Sequence, residues 1–74
     1  MSRIAAIGEA ERLRGFAFAG VQVVAVDHPE AARTAWRGLA EDVGLVILTP
    51  TAHAALEDER LDQRHERLWV VLPA

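Results

Sequence analysis

Gly44-Leu45-Val46-Ile47-Leu48-Thr49-Pro50 is the stretch on which the fold turns. Its four central residues form a continuous apolar run, short for a helix and rich in the branched side chains that suit a strand. No polar residue alternates with them, so both faces of the strand are expected to be buried, as in a parallel sheet with helices on its two sides. Thr49 can then cap a helix through its hydroxyl, and Pro50 suits the first helical position, where no backbone donor is needed. A buried strand that runs straight into a capped helix is half of a β-α-β unit.

Three more runs of the same kind follow from this one: Ile4 to Ile7, Val21 to Val26 and Leu68 to Leu72. Gln22 interrupts the second and predicts a less enclosed strand. Between the first two, Ala10, Leu13, Phe16 and Ala17 recur at helical spacing opposite Glu9, Glu11, Arg12 and Arg14, and Gly20 is placed to stop that helix. Asp27-His28-Pro29-Glu30 opens the next helix, with Asp27 or His28 as its cap. Its stripe is Ala32, Ala35, Trp36, Leu39 and Ala40, and its predicted end is Val43-Gly44. A third helix runs from Pro50 through Ala52, Ala55 and Leu56 toward Leu61, before a polar connection from Asp62 to Glu66. The alternation β-α-β-α-β-α-β predicts an α/β three-layer sandwich with a parallel sheet, a Rossmann/flavodoxin-like scaffold, over residues 1–74 as a single domain.

Composition narrows the function. The chain has 74 residues, enough for one modest core. Eight arginines against eleven acids leave a net charge of -3, a poor match to nucleic-acid phosphates. Cysteine is absent, which removes disulfides, thiolate metal sites and a thiol nucleophile; lysine and tyrosine are absent too, and the only serine is Ser2. The near-apolar stretch from Gly15 to Val26 contains Gln22 and falls short of the ~20 residues that span a bilayer. It follows Arg12 and Arg14 like a secretory leader, but Glu9 and Glu11 sit in the would-be basic segment and no cleavage pattern follows. A cytoplasmic protein without membrane insertion is expected.

Ligands of open α/β sheets bind beyond the carboxyl ends of the strands, here Gly8-Glu9, Asp27-His28, Thr49-Pro50 and Pro73-Ala74. Glu9 and Glu11 stand where a dinucleotide fold would place glycines for a pyrophosphate, and two acids repel one. A P-loop and a phosphoacceptor receiver both need a lysine that the chain lacks, and Thr49 replaces the receiver's aspartate. His65-Glu66-Arg67-Leu68-Trp69 begins like a zinc motif but has Trp69 at the second ligand position. His53 with Glu57, and the run Glu57-Asp58-Glu59 with Asp62, read as solvated helix surface. No catalytic, cofactor-binding or metal-ligating residue is assigned, and no cofactor. Trp36 and Trp69 fit either a core or an interface.

Ile4-Ala5-Ala6-Ile7-Gly8 followed by Gly15-Phe16-Ala17-Phe18-Ala19-Gly20-Val21 resembles the F subunit of the V-type (vacuolar and archaeal/bacterial) rotary ATPases, whose first strand precedes a G-F-x-L-A-G-V element. The likeness continues through Val24-Ala25-Val26, Asp27, Pro29-Glu30-Ala31, Gly44 to Thr49 and Val70-Val71-Leu72-Pro73, and so covers essentially the whole chain. Phe18 stands at the usual leucine, Glu9 at a common aspartate, and Pro50 enters the third helix. The resemblance implies a four-stranded sheet in the order 2-1-3-4, with the Gln22-bearing strand at an edge. It also implies a non-catalytic central-stalk (rotor) subunit that binds the coiled-coil D subunit of the V-type ATPase stalk beside the catalytic head and couples ATP hydrolysis or synthesis to proton or sodium transport. Such a protein is cytoplasmic and peripheral to the membrane through the complex. Relatives continue past I-P-S into a further helix, whereas this chain ends at Pro73-Ala74 and would be a short form.

Phe16, Phe18, Trp69 and Val71 are the candidate protein-interface residues. Without a terminal helix, the face carrying the first helix should leave strands three and four uncovered, to be closed by self-association into a homo-oligomer or by a partner, with one parity of the last strand, including Trp69, at the contact. Two other readings stay open: a free-standing α/β interaction module and a ligand-binding or enzymatic flavodoxin-like domain. A stalk gene beside this one favours the rotor subunit, and a bound nucleotide or flavin favours the last.

Overall fold

The computed structural model describes residues 3–57 and 67–73. Strands β1 (Arg3–Gly8), β2 (Gln22–Ala25), β3 (Val43–Leu48) and β4 (Leu68–Val71) alternate with helices α1 (Ala10–Leu13), α2 (Pro29–Arg37) and α3 (Pro50–Ala55). All strand pairs are parallel, as the apolar runs predicted, and the order is 2-1-3-4, as the resemblance implied. Cα partners such as Ala5 with Gln22 and Val46, and Val46 with Trp69, set the register.

Side chains alternate across a strand, so this register sorts them onto two faces. Ala5 and Ile7 of β1 join Val46 and Leu48 of β3 in one buried cluster with Ala32 of α2 and Ala52 and Leu56 from α3 and its end. Val24, Trp36, Leu39 and Trp69 pack around it. Helices α2 and α3 therefore share this face, and they also touch each other. Ala6 and Leu13 are fully buried outside that cluster, which places α1 on the opposite face, over β1 and β2. Right-handed crossovers require this division, since the step from β1 to β2 runs one way along the sheet and the steps to β3 and β4 run the other. Burial of Ile7, Leu13, Leu48 and Leu56 contributes about 1.5–3 kcal/mol each.

Two local expectations change. The first helix is α-helical only through Leu13 and then tightens into a 3₁₀ segment, Arg14–Ala19, which Gly20 ends at φ +80°. Glycine takes that left-handed geometry without a Cβ penalty. The second helix ends at Arg37 and not at Val43-Gly44; Gly38 terminates it, and Val43-Gly44 open β3. Leu61 and the segment from Asp62 to Glu66 lie outside the described residues.

Arg67 anchors the start of β4 to the turn before β3. Its Nε donates to the Val43 carbonyl at 2.8 Å and its Nη2 to that of Ala40 at 2.9 Å. The guanidinium lies 5.9 Å from the Trp36 ring centroid, within cation–π range.

Candidate functional site

The strand order reverses between β1 and β3, and the crevice beyond their carboxyl ends is where a ligand of this fold would sit. Its geometry begins with a close approach of two strands. A Cβ on Gly8 would collide with Cγ2 and Oγ1 of Thr49 and would lie 2.8 Å from its Cβ, so only glycine lets the Thr49 side chain cross the end of β1. There the Thr49 hydroxyl donates to Glu9 Oε1 at 2.6 Å and accepts from the Ala52 amide at 3.3 Å. One buried hydroxyl thus caps α3 and fixes the carboxylate that follows β1. This bond, opposed by partial desolvation and reinforced by the Glu9 amide, the Thr51 hydroxyl and the charge of Arg12, holds the Glu9 carboxyl below its ordinary pKa. On the next strand, His28 Nδ1 accepts from the Ala31 amide at 3.1 Å and so caps α2. His28 Nε2 stands 3.6 Å from Asp27 Oδ1, and both side chains are exposed.

Between α2 and α3 these residues enclose a cleft of about 100 Å³ with Glu9, Asp27, His28 and Thr51 at its mouth and Val26, Ala32, Ala52 and Ala55 along its wall. Small-molecule sites usually need ~300 Å³ or more, so a nucleotide or flavin does not fit the cleft as it stands. The groove on the other side of Glu9 is wider, but Glu9, Glu11 and Asp27 all line it. Three carboxylates repel a phosphate. Among the described residues no group of three His, Asp or Glu is arranged to hold a metal, and no helix is long and apolar enough to cross a membrane.

The second notable surface is the sheet face that carries α1. Ile4, Leu45 and Leu68 form one row across it, and Ala6, Ile47 and Val70 the next. Exposure climbs along the second row, from 0 % at Ala6 to 49 % at Val70; in the first, Ile4 is 39 % and Leu68 69 % exposed on either side of a half-buried Leu45. Strands β3 and β4 thus lack helical cover on this side among the described residues.

The candidate interface residues do not gather on that face. Trp69 is half-buried on the opposite side, packed against the cluster under α2 and α3, and Val71 shares its parity on the β4 edge. The residues of β4 on the uncovered face are Leu68 and Val70. Phe16 is half-buried in the 3₁₀ segment, and the Phe18 side chain lies outside what the structure describes. Leu68 and Val70 escape a reading of the sequence because a continuous apolar run hides its parity; only the register against β3 reveals which residues face α1. The Glu9–Thr49 bond escapes it because nothing in either residue's neighbours in sequence announces a contact 40 positions apart.

No match was found among curated proteins or among solved structures. The family model for the ATP synthase (F/14-kDa) subunit matches residues 4–74, from the second residue of β1 to residue 74 and so through all the other strands and helices described. By that match, and with the four-stranded 2-1-3-4 sheet beneath it, the chain belongs to the ATP synthase (F/14-kDa) subunit family.

Proposed function

We propose that this protein, residues 1–74 acting as one domain, is a non-catalytic central-stalk (rotor) subunit of a V-type ATPase, coupling ATP hydrolysis or synthesis in the head to ion transport. The observation that carries the reading is the family match over residues 4–74, which makes the chain a subunit of a rotary ATPase. The site geometry supports a mechanical role: the cleft between α2 and α3 is small, and the wider groove beside it is lined by the carboxylates of Glu9, Glu11 and Asp27, while Ile4, Leu68 and Val70 expose apolar surface on the sheet face. The protein works in the cytoplasm, held at the membrane through the complex. Its partners are the coiled-coil D subunit of the stalk and, through it, the catalytic head.

The test is reconstitution. The purified chain is expected to hydrolyse no ATP alone, to bind the purified coiled-coil stalk subunit, and to join a head–stalk assembly. Tight binding of a nucleotide or flavin to the isolated chain, or failure to bind the stalk subunit, would overturn the proposal.

A further inference from the structure

We infer that the cleft between α2 and α3 is a docking site for one arginine side chain of a partner protein, its hydrocarbon stem lying along Val26, Ala32, Ala52 and Ala55 and its guanidinium meeting the Glu9 carboxylate at the mouth. The inference goes beyond the rotor reading and does not depend on it.

The shape of the cleft selects a slender ligand. Its wall is built from small side chains: Ala32 and Ala52 are buried where α2 and α3 meet, and Ala55 and Val26 pack half-buried beside them. A space of about 100 Å³ is too narrow for a nucleotide or a flavin but suits an unbranched stem. Arginine and lysine bury such stems along apolar surface and keep the charged head in water. An apolar wall that ends in a charged mouth has that profile.

The sign of the head follows from what surrounds the mouth. Glu9 and Asp27 stand there, and the adjoining groove, which shares both of them and Val26, adds Glu11. Glu9 is fixed in place: its Oε1 accepts at 2.6 Å from the hydroxyl of Thr49, a fully buried residue seated over Gly8. A carboxylate already held in position loses little freedom on binding. The starts of α2 and α3, which would otherwise attract an anion, are capped from within, the Ala31 amide donating to His28 Nδ1 and the Ala52 amide to Thr49 Oγ1.

No arginine lines the cleft, and the chain contains no lysine. Arg12, whose charge reaches Glu9, directs its Nη2 to the Pro73 carbonyl at 2.6 Å, and Arg33 is bonded to Glu30 at 3.4 Å. A guanidinium is favoured over an ammonium because its planar fork of donors can serve two carboxylates from one head.

The experiment follows the methyl signals of Ala32, Ala52 and Ala55 by NMR while the full chain is titrated with a short peptide carrying one arginine between glycines. The same peptide with citrulline keeps the stem and removes the charge. Saturable shifts are expected from the arginine peptide, with roughly fivefold weaker binding of the citrulline peptide. In Glu9→Gln that preference should shrink, because the variant removes the charge at the mouth and keeps an oxygen for Thr49. Ala55→Leu, which fills the cleft and leaves every charge in place, should weaken both peptides. Equal binding of the two peptides to wild type, an undiminished preference in Glu9→Gln, or unaltered binding to Ala55→Leu would each overturn the inference. So would saturable shifts of these methyls by inorganic phosphate, which would reverse the sign of the ligand. Binding of n-propylguanidinium as tight as that of the arginine peptide would make a free cation the ligand and also overturn it. If neither peptide binds, the inference fails and the rotor role stands, since the assay contains no other ATPase subunit.

Discussion

Gly8→Ala is the most exacting single change the structure suggests. The added methyl must displace Thr49, whose Cβ would lie 2.8 Å away and whose hydroxyl and methyl lie closer still. Because Gly8 ends the central strand and Thr49 is fully buried at the start of α3, neither backbone can yield cheaply. Overpacking of this kind costs about 1–3 kcal/mol. Moving the hydroxyl also sacrifices the α3 cap, worth about 1 kcal/mol, and the bond to Glu9, worth about 1 kcal/mol once the carboxylate's access to water is taken into account. Relaxation trades some of these losses against one another, so a destabilisation of about 2–4 kcal/mol is expected. At about 4–8 °C per kcal/mol for a domain of this size, the melting temperature should fall by roughly 10–30 °C. Thermal unfolding followed by circular dichroism measures it. The diagnostic partner is Thr49→Ser, which deletes the methyl in the collision and keeps the hydroxyl: the double variant should be more stable than the two single effects added together. A fall of less than about 4 °C for Gly8→Ala, or strict additivity with Thr49→Ser, would refute the close approach of β1 and β3 as described.

Glu9 has its folded pKa lowered, so its contribution is fully present above the ordinary carboxylate value and is lost as pH falls through the folded one. Glu9→Gln should therefore flatten the acid side of a stability-versus-pH curve, with little change in its slope near neutrality. Gly20→Ala, at φ +80°, should cost about 1 kcal/mol; Gly15→Ala, which meets open space, should match wild type or exceed it slightly in melting temperature. Arg67→Met should destabilise by about 1–3 kcal/mol in chemical denaturation, since the carbonyls of Ala40 and Val43 lose their charged donor and the Trp36 ring its cation.

Much of this architecture is legible in the sequence because it rests on local chemistry. The run Leu45 to Leu48 is buried or half-buried on both faces, as an unbroken apolar strand should be, and Thr49 and Pro50 begin α3 where a cap followed by proline predicts. His28 caps α2 for the same reason. Gln22 sits in an edge strand, exposed. Legibility stops where the decision is tertiary. The α2 stripe continues past Arg37 to Leu39, which still packs on the core, so periodicity alone overruns the helix and takes Val43-Gly44 for its end. The switch of the first helix to 3₁₀ geometry after Leu13 leaves the apolar spacing nearly intact and is equally invisible. Glu9 reads as a charge that repels phosphate; its fixed position depends on Thr49, which no pattern within the first helix contains.

The two sheet faces differ for a topological reason, and that reason bears on function. Four parallel strands in the order 2-1-3-4 are joined by three crossovers, and their handedness sends one helix to one face and two to the other. Two helices span four strands; one does not. An antiparallel sheet with a wet face answers such a deficit by alternating polar residues into it. This chain does not, for the positions under the deficit are Ile4, Leu45, Ile47, Leu68 and Val70. Each large aliphatic side chain kept in water forgoes about 1.5–3 kcal/mol of burial, a sizeable share of the stability available to a domain this small. Retaining three exposed ones, Ile4, Leu68 and Val70, beside the half-buried Leu45 and Ile47 is intelligible if the working state of the protein covers them. A subunit of a rotary ATPase has neighbours that can supply such cover, and the apolar rows are then intelligible as a contact surface and not as a defect of the fold.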